Sequence, residues 1–396
     1  MRILFISPRQ CWPASNGARL REFHFLRALG ARWDVSYLYF EDPAGPRLTL
    51  SDLPFCREIT GIPKPATYGA ANLVRGLLGR WPLPVLNYSS HEMDAAVRGA
   101  LDARDYDFVH LDSIHMTRAE PIAGSSRCVY NWHNIESEVI TRYSDIEGNP
   151  AKAWYARRTA RKMRSLERSI LHSAFGHLVC SDRERDQLRS IAPEARIEVI
   201  ENGVDVASFI PANKPGSSLV FVGAMDYFPN IEAAVSFART VWPDLRRRFP
   251  SLTLAIVGAN PVPQVCALSG LEGVTVTGTV PDVRPYYRDA LAAIVPLRSG
   301  GGTRLKVLEA MAAGVPVISS TLGAEGLAVS PDRDILIADP DRPEEWIRFV
   351  SALLDSPELR SRIVSAGRDL TVRRYDWGFL GRRLSDLYES WRPKKP

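Results

Sequence analysis

The sequence predicts an α/β protein with parallel sheets in two domains, and three observations carry that expectation. Short runs rich in Val, Ile and Leu alternate with longer amphipathic runs along the whole chain, the pattern of successive βα units. The strand-like runs are almost continuously apolar, as in sheets covered on both faces. At 396 residues the chain is too long for one ordinary core.

Taken in order, the first series of strands is expected at "RILFIS" (2–7), "DVSYLYF" (34–40), "FVHLDS" (108–113), "CVYNWHN" (128–134), "HLVCSD" (177–182) and "IEVIENG" (197–203). A second series restarts at "SLVFVGAM" (218–225). It continues through "LTLAIVGAN" (252–260), "VTVTGTV" (274–280), "AAIVPL" (292–297), "VPVISS" (315–320) and "DILIAD" (334–339). Between the two lies "FIPANKPGSS" (209–218), whose Pro, Gly and Ser content marks a linker, with the domains meeting near 205–217. The expected divisions are 1–205, 206–375 and a terminal helix, 376–396. In that helix Trp377, Leu380, Leu384, Leu387 and Trp391 form one apolar stripe that needs a surface, offered by a return to the first domain.

Composition narrows the class. Apolar residues at 45% and charged residues at 24% are a globular balance. The net charge of +5 suits an anionic small ligand or an anionic membrane surface and is too weak to point to nucleic acid. Five scattered cysteines (Cys11, Cys56, Cys128, Cys180, Cys266) never fall at C-x-x-C spacing, so reduced thiols and a cytoplasmic location are expected. "MRILFIS" is too short for a secretory h-region, and no run reaches the length of a bilayer span. Contact with the inner face of a membrane would then be peripheral.

The densest motif is "RSGGGTRLKVLEAMAAGVPVISSTLGAEG" (298–326). Gly300, Gly301 and Gly302 follow a strand and leave backbone N–H groups open to an anion. Thr303 is placed to cap a helix that Gly314 closes, and a helix N-terminus at a sheet's carboxyl edge favours phosphate. Lys306 and Glu309, three residues apart, share a helical face. The Lys suits a phosphate oxygen and the Glu suits sugar hydroxyls. One carboxylate beside one lysine is a poor divalent-metal set, so no metal is expected. A solvated loop with an ordinary ion pair is the alternative reading.

The string "GGGTRLKVLEAMAAGVPVISS", together with "VIENGVDVASF" (199–209), resembles the family-4 retaining glycosyltransferases of GT-B fold. "PASNGARLREFHFLRAL", "NWHNIESE" and "YDWGFLGRRLSDLY" fall where that family has matching segments, so the resemblance covers nearly the whole chain. "FVGAMDYFPNIEAAVSFARTVWPDLRRRFP" (221–250) looks most like the branch associated with exopolysaccharide and cell-surface glycan gene clusters. The resemblance implies two Rossmann-like domains with parallel sheets facing across a cleft. It also implies a nucleotide diphosphate sugar as donor on the second domain, with no cofactor, and a glycan, lipid-linked or small-molecule hydroxyl acceptor on the first.

Residue by residue, the second Glu of the family's E-x7-E motif maps to Glu309, while Gly301 stands where the first would be. Backbone of Gly301, Gly302 and Thr303 could take over its sugar contacts. The family's basic residue and Lys-Gly pair after the first strand of the second domain are replaced by "VGAMDYFPNIE", which holds Gly223, Asp226 and Asn230 but no cation. Arg304, Lys306 and Arg298 must then carry the departing diphosphate. Leu305 and Val280 would complete the donor site, Val280 through its backbone to the base, with Tyr286 or Tyr287 nearby. Those two tyrosines serve equally well as the start of a helix packed on the sheet.

On the acceptor side, Asn16 and Gly17 replace a family Gly-Gly turn, Asn being tolerant of the left-handed backbone. His133 matches a family histidine near the donor sugar. The catalytic set is therefore His133, Arg304, Lys306 and Glu309. His110 and His115 stay without an assigned role. On the helix of "AWYARRTARKMRSLERSILHSAFG", Arg157, Arg161, Arg164 and Arg168 form a stripe, readable as a solvated face or as a dock for anionic headgroups. The implied reaction is front-side transfer with retention. Rivals are a nucleotide-sugar 2-epimerase, a noncatalytic donor-binding homologue and an oxidoreductase, the last disfavoured because no G-x-G-x-x-G follows either first strand.

Overall fold

The computed structural model describes residues 1–43, 45–67, 69–211, 216–300 and 304–392. Two compact units emerge, one of residues from Met1 to Asn202 with the chain from Leu380 on, the other Gly203–Phe379.

The first unit is built on strands β1 (Arg2–Ser7), β2 (Asp34–Phe40), β3 (Glu58–Ile62), β4 (Phe108–Leu111), β5 (Cys128–Asn131), β6 (Gly176–Val179) and β7 (Ile197–Val199). They form one parallel sheet in the order β3-β2-β1-β4-β5-β6-β7. Ile3 pairs with Val35 on one side and Phe108 on the other, and every residue of β1 after Arg2 is buried. Full burial explains why these strands read as continuous apolar runs. The second unit carries β8 (Ser218–Val222), β9 (Thr253–Val257), β10 (Val274–Val276), β11 (Ala290–Val295), β12 (Val317–Ser319) and β13 (Leu336–Ile337), parallel in the order β10-β9-β8-β11-β12-β13. Both sheets reverse direction of growth once, between β1 and β4 and between β8 and β11. Open α/β sheets place ligands outside the carboxyl ends of the strands at such reversals.

The helices that matter for function are α1 (Gly17–Gly30), α2 (Ala70–Leu78), α3 (Pro150–Ser173), α4 (Phe228–Thr240), α5 (Arg284–Arg288), α6 (Leu305–Ala312) and α7 (Trp377–Trp391). Asn149 caps α3 by accepting from the N–H groups of Ala151 and Lys152, and Pro150 supplies a first position that needs no N–H. The expected two faces of α3 are both present. Met163 and Ile170 are buried, Leu166 is half-buried, and Arg157, Arg161, Arg164 and Arg168 are exposed.

Three expectations need correction. The edge strand β3 was not anticipated, because Gly61 and a half-exposed start leave only Ile59 and Ile62 as apolar signal. On α7 the buried stripe runs Leu380, Leu384, Tyr388, while Leu387 is only half-buried. Spacing of four favours Tyr388, whose hydroxyl meets His110 Nδ1 at 2.6 Å. Arg383 donates to Glu201 at 2.8 Å and Arg32 to Asp386 at 2.7 Å, which pins the part of α7 from Leu380 on within the first unit. Asn16 does not adopt a left-handed backbone: at φ −148° it is extended and caps α1, its Oδ1 accepting from Arg19 N at 3.1 Å. A capping side chain thus serves where a left-handed turn was expected. All five cysteines are free, and only Cys266 is exposed. Among the described residues no helix is long and apolar enough to cross a membrane.

Candidate active site

In the second unit the reversal between β8 and β11 brings three segments together. Gly223 follows β8, Asn230 lies in the first turn of α4, and Lys306 lies in the first turn of α6. A Cβ on Gly223 would sit 2.7 Å from Asn230 Nδ2 and 2.9 Å from Lys306 Nζ, so a side chain there would displace the Asn230 and Lys306 ends from their present positions. Gly258 reinforces the constraint: a Cβ on it would sit 1.7 Å from the Gly223 carbonyl oxygen.

Lys306 Nζ donates to Asn230 Oδ1 at 2.7 Å and lies 4.5 Å from the Phe221 ring centroid. Asn230 is itself oriented, its Nδ2 donating to Ala224 O at 2.9 Å. A lysine only donates and a carbonyl only accepts, so both ends of the amide are fixed. One turn along α6, Glu309 Oε2 accepts from the buried Tyr287 hydroxyl at 3.1 Å. Burial raises the Glu309 carboxyl, and Tyr287 and Lys306 oppose that rise. Lys306 and Glu309 thus share a face, as their spacing predicts. Both tyrosines lie on α5; Tyr287 combines packing with a bond to Glu309, and Tyr286 is half-buried.

The remaining donor-site candidates have varied surroundings. Gly300 has φ +105°, and a Cβ there would meet Pro229 Cγ at 2.9 Å. Gly301, Gly302 and Thr303 lie outside the described residues. The helix starts at Leu305 with Arg304 in the cap position, one residue later than Thr303 capping implied. Arg304 is buried: its Nε donates to Leu322 O at 3.1 Å and a terminal nitrogen to Gly300 O at 3.3 Å, bracing the loop. Arg298 is turned to Asp341 and to Pro340 O, 2.6 Å away. Leu305 and Val280 pack half-buried against the core of the second unit.

The first unit has its own polar cluster at the reversal between β1 and β4. Asp112, immediately after β4, is completely buried. Its Oδ2 is 3.0 Å from His133 Nε2, and its Oδ1 accepts from Asn131 Nδ2 at 2.6 Å. Asn131 Oδ1 accepts from Arg21 Nε at 2.9 Å, and Arg21 also donates to Ile200 O at 2.6 Å. The next residue, Ser113, has φ +137° and ψ +150°, a region almost reserved for glycine that stores about 1–3 kcal/mol of strain. His115 stacks on Tyr88 at 5.1 Å and is pushed down to about 3 by burial and then by Arg9. Gly17 opens α1, and Asn16 is engaged as its cap. Sequence reasoning missed Asp112, although its place at a strand's carboxyl end beside the reversal was a usable signal. It also undervalued Asn230, seen only as a lost cation. Among the described residues no group of three or more His, Cys, Asp or Glu is arranged to hold a metal ion.

Two family models match the chain, Glycosyltransferase Family 4 over residues 16–208 and Glycosyl transferases group 1 over residues 216–356. The chain belongs to this family, and its fold is GT-B. It is 29% identical over 238 residues to the phosphatidyl-myo-inositol mannosyltransferase of Mycobacterium tuberculosis, aligning 56% of this chain with 61% of that protein. It is 24% identical over 263 residues to the glycogen synthase of the same organism, aligning 63% of this chain with 62% of that one. The aligned region thus spans less than two thirds of these relatives. Among solved structures, sucrose-phosphate synthase from Thermosynechococcus elongatus superposes with a TM-score of 0.71 at 19% identity over 98% of both chains. Anabaena HepE in complex with UDP and glucose superposes at 0.69 and 14% identity, over 98% of this chain and 100% of that one.

Burial, followed by repulsion from Arg304, pushes Lys306 down from 10.5 to about 7, with Glu309 opposing. Between those two values the unfolded chain binds more protons than the folded one, so ligand-free stability rises with pH across that window. Below about pH 7 the penalty is complete. Lys306→Met is therefore expected to raise stability by on the order of 2–4 kcal/mol at pH 6, the gain shrinking towards pH 10. Thermal unfolding of the ligand-free protein at pH 6 and pH 9.5 checks this. An unchanged midpoint at both values would show that the ammonium carries no burial penalty.

Proposed function

We propose that the chain transfers a sugar from a nucleotide diphosphate sugar to a hydroxyl acceptor with retention, in the assembly of a cell-surface polysaccharide or glycan. The observation that carries this reading is the Lys306–Glu309 face set beside Gly223 at the reversal of the second sheet. Lys306 meets the diphosphate, and Glu309, oriented by Tyr287, accepts from the ribose hydroxyls. Arg304 holds the Gly300 loop in shape, and backbone N–H groups of Gly301, Gly302 and Thr303 complete the donor site. Arg298 joins them by exchanging Asp341 for phosphate, since its pair with that exposed carboxylate is weak. Val280 and Leu305 flank the base and phosphates. His133, Asn16 and Gly17 belong to the sugar and acceptor side.

In the reaction, the bond from the anomeric carbon to the diphosphate oxygen breaks while the acceptor oxygen bonds on the same face. The acceptor proton passes to the leaving diphosphate oxygen. Lys306 stabilises the charge that develops there, and an anion beside it restores the proton that burial disfavours. A UDP-sugar is the first donor to try, because Anabaena HepE holds UDP and glucose. The exopolysaccharide branch rests on the 221–250 segment alone.

Incubation with UDP- and GDP-sugars, with and without hydroxyl acceptors, tests this reading. Transfer with retained anomeric configuration is expected, and Lys306→Ala or Glu309→Ala should each lower it about a hundredfold, near 3 kcal/mol of barrier. Donor isomerised without acceptor would support the epimerase instead, and donor bound but never turned over would support the noncatalytic homologue.

For the acceptor we infer a membrane-bound partner at the cytoplasmic face. Trp154 is 51% exposed at the head of the Arg157, Arg161, Arg164 and Arg168 stripe, and Leu78 of α2 is 76% exposed. Tyr155 and Lys162 of α3 donate to the Leu73 and Gly76 carbonyls of α2, which sets the two helices side by side. Apolar anchors beside arginines suit an anionic bilayer surface. The protein should sediment with phosphatidylglycerol vesicles and not with phosphatidylcholine, with loss on raising salt. Equal binding to both, or to neither, would reject the membrane contact.

A further inference from the structure

Asp112 has no part in the family motif, yet it is a completely buried carboxylate with a partner on each oxygen. Its backbone N–H donates to Ile6 O at 2.8 Å, extending the β1–β4 ladder by one rung. Its carboxylate is held by Asn131 and faces His133. The chain then leaves through the strained Ser113, so the position is enforced from both sides. Strain of this kind persists only where the surroundings dictate it, and it gathers at functional sites.

Donor and acceptor rules settle the hydrogen positions. Arg21 can only donate, so the Asn131 atom facing it is the oxygen, and the amide nitrogen must face Asp112. Asp112 is held well below the usual carboxylate range, so it is ionised and its Oδ2 accepts only. The His133 nitrogen 3.0 Å from Oδ2 is Nε2, and it must therefore carry hydrogen. In a neutral imidazole the other nitrogen, Nδ1, is then bare.

We propose that Asp112 is a positioning residue that fixes His133 as the Nε2–H tautomer, so that Nδ1 is a hydrogen-bond acceptor for a hydroxyl of the sugar substrates. This rests on the reading of His133 as part of the sugar-transfer site. It assigns His133 the role of accepting from a hydroxyl, not of donating to an oxygen.

The charge balance agrees. Burial holds His133 below the ordinary histidine value, Arg9 and Arg21 push the same way, and Asp112 opposes them. His115 also faces this charge, as its own lowering by His133 records. On the other side of Asp112, His110 Nε2 stands 3.7 Å from Oδ1. Burial raises Asp112, but His133 and His110 outweigh it and hold the carboxyl well below its usual range. Glu22 is raised by burial and by Asp112, with Tyr37 donating to it at 2.5 Å. At neutral pH the cluster therefore contains an ionised Asp112 and a neutral His133.

The test is two-bond 1H–15N correlation spectroscopy of the full chain with labelled histidine, His133 being assigned by its loss in His133→Asn. Nε2–H with bare Nδ1 is expected between pH 6.5 and 8. In Asp112→Asn the carboxamide can present either group, so the Nδ1–H form should appear. In the transfer assay Asp112→Asn should lower kcat about 10- to 100-fold while donor KM stays nearly constant. It should also move the acid limb of the kcat profile to lower pH, because the imidazolium loses its counterion. Asp112→Glu, which keeps the carboxylate, should recover part of the rate. A merely structural role would not move that limb. The proposal is overturned if native His133 carries its proton on Nδ1, or if Asp112→Asn changes neither tautomer nor acid limb. The tautomer is read without substrate, so absence of transfer in the native protein would reject the proposed function and leave this result standing on its own.

Discussion

An ammonium group held by neutral partners is the constraint on which the second unit's chemistry depends. Lys306 rests on the Asn230 amide oxygen and the Phe221 ring, and neither cancels its charge. Burial and Arg304 both disfavour that charge, so the ligand-free site carries an electrostatic debt. An anion beside Lys306 relieves it. The surrounding backbone is arranged to let one approach: a side chain at Gly223 would push on Asn230 and Lys306, one at Gly300 would meet Pro229 at a left-handed φ, and Gly258 lets the Gly223 carbonyl pass closely. Glu309 sits one turn further along the same face, where it can accept from hydroxyls and is oriented by Tyr287.

The first unit answers with a different device. Its charge is compensated internally, through Arg21, Asn131, Asp112 and His133 in series, with Arg21 reaching from α1 to three residues at the ends of β4 and β5. Arg21 is anchored to the Ile200 carbonyl, and His110 is tied to Tyr388 of α7. Packing of the terminal helix and orientation of the polar cluster are therefore linked through one histidine. A compensated network holds a geometry. A buried lysine whose charge Glu309 only partly offsets invites a ligand. The two reversals of strand order carry these two complementary properties.

Much of this was legible in the residues. Continuous Val, Ile and Leu runs gave twelve of the strands because buried parallel strands have no polar face to blur the pattern. The Lys306–Glu309 face followed from helical spacing alone. What stayed hidden depended on tertiary contact. Strand β3 borrows its stability from β2 and shows only two isoleucines. Asn16 and Thr303 were both placed by local backbone rules. One proved a cap instead of a left-handed turn, and the helix at the other begins later. Asn230 looked like a loss because sequence shows a missing cation but not the amide oxygen that holds Lys306. Asp112 gains meaning only when β4 and β5 lie side by side and bring His133 within 3.0 Å. Arg298 and Arg304 were read as equivalent cations, yet one pairs with a surface carboxylate and the other braces backbone carbonyls.

A crystal structure of the chain with UDP bound tests the central claim most directly. A phosphate oxygen should lie within hydrogen-bond distance of Lys306 Nζ, with a ribose hydroxyl on the Glu309 carboxylate and Tyr287 still donating to it. UDP bound elsewhere, with Lys306 and Glu309 untouched, would contradict the account.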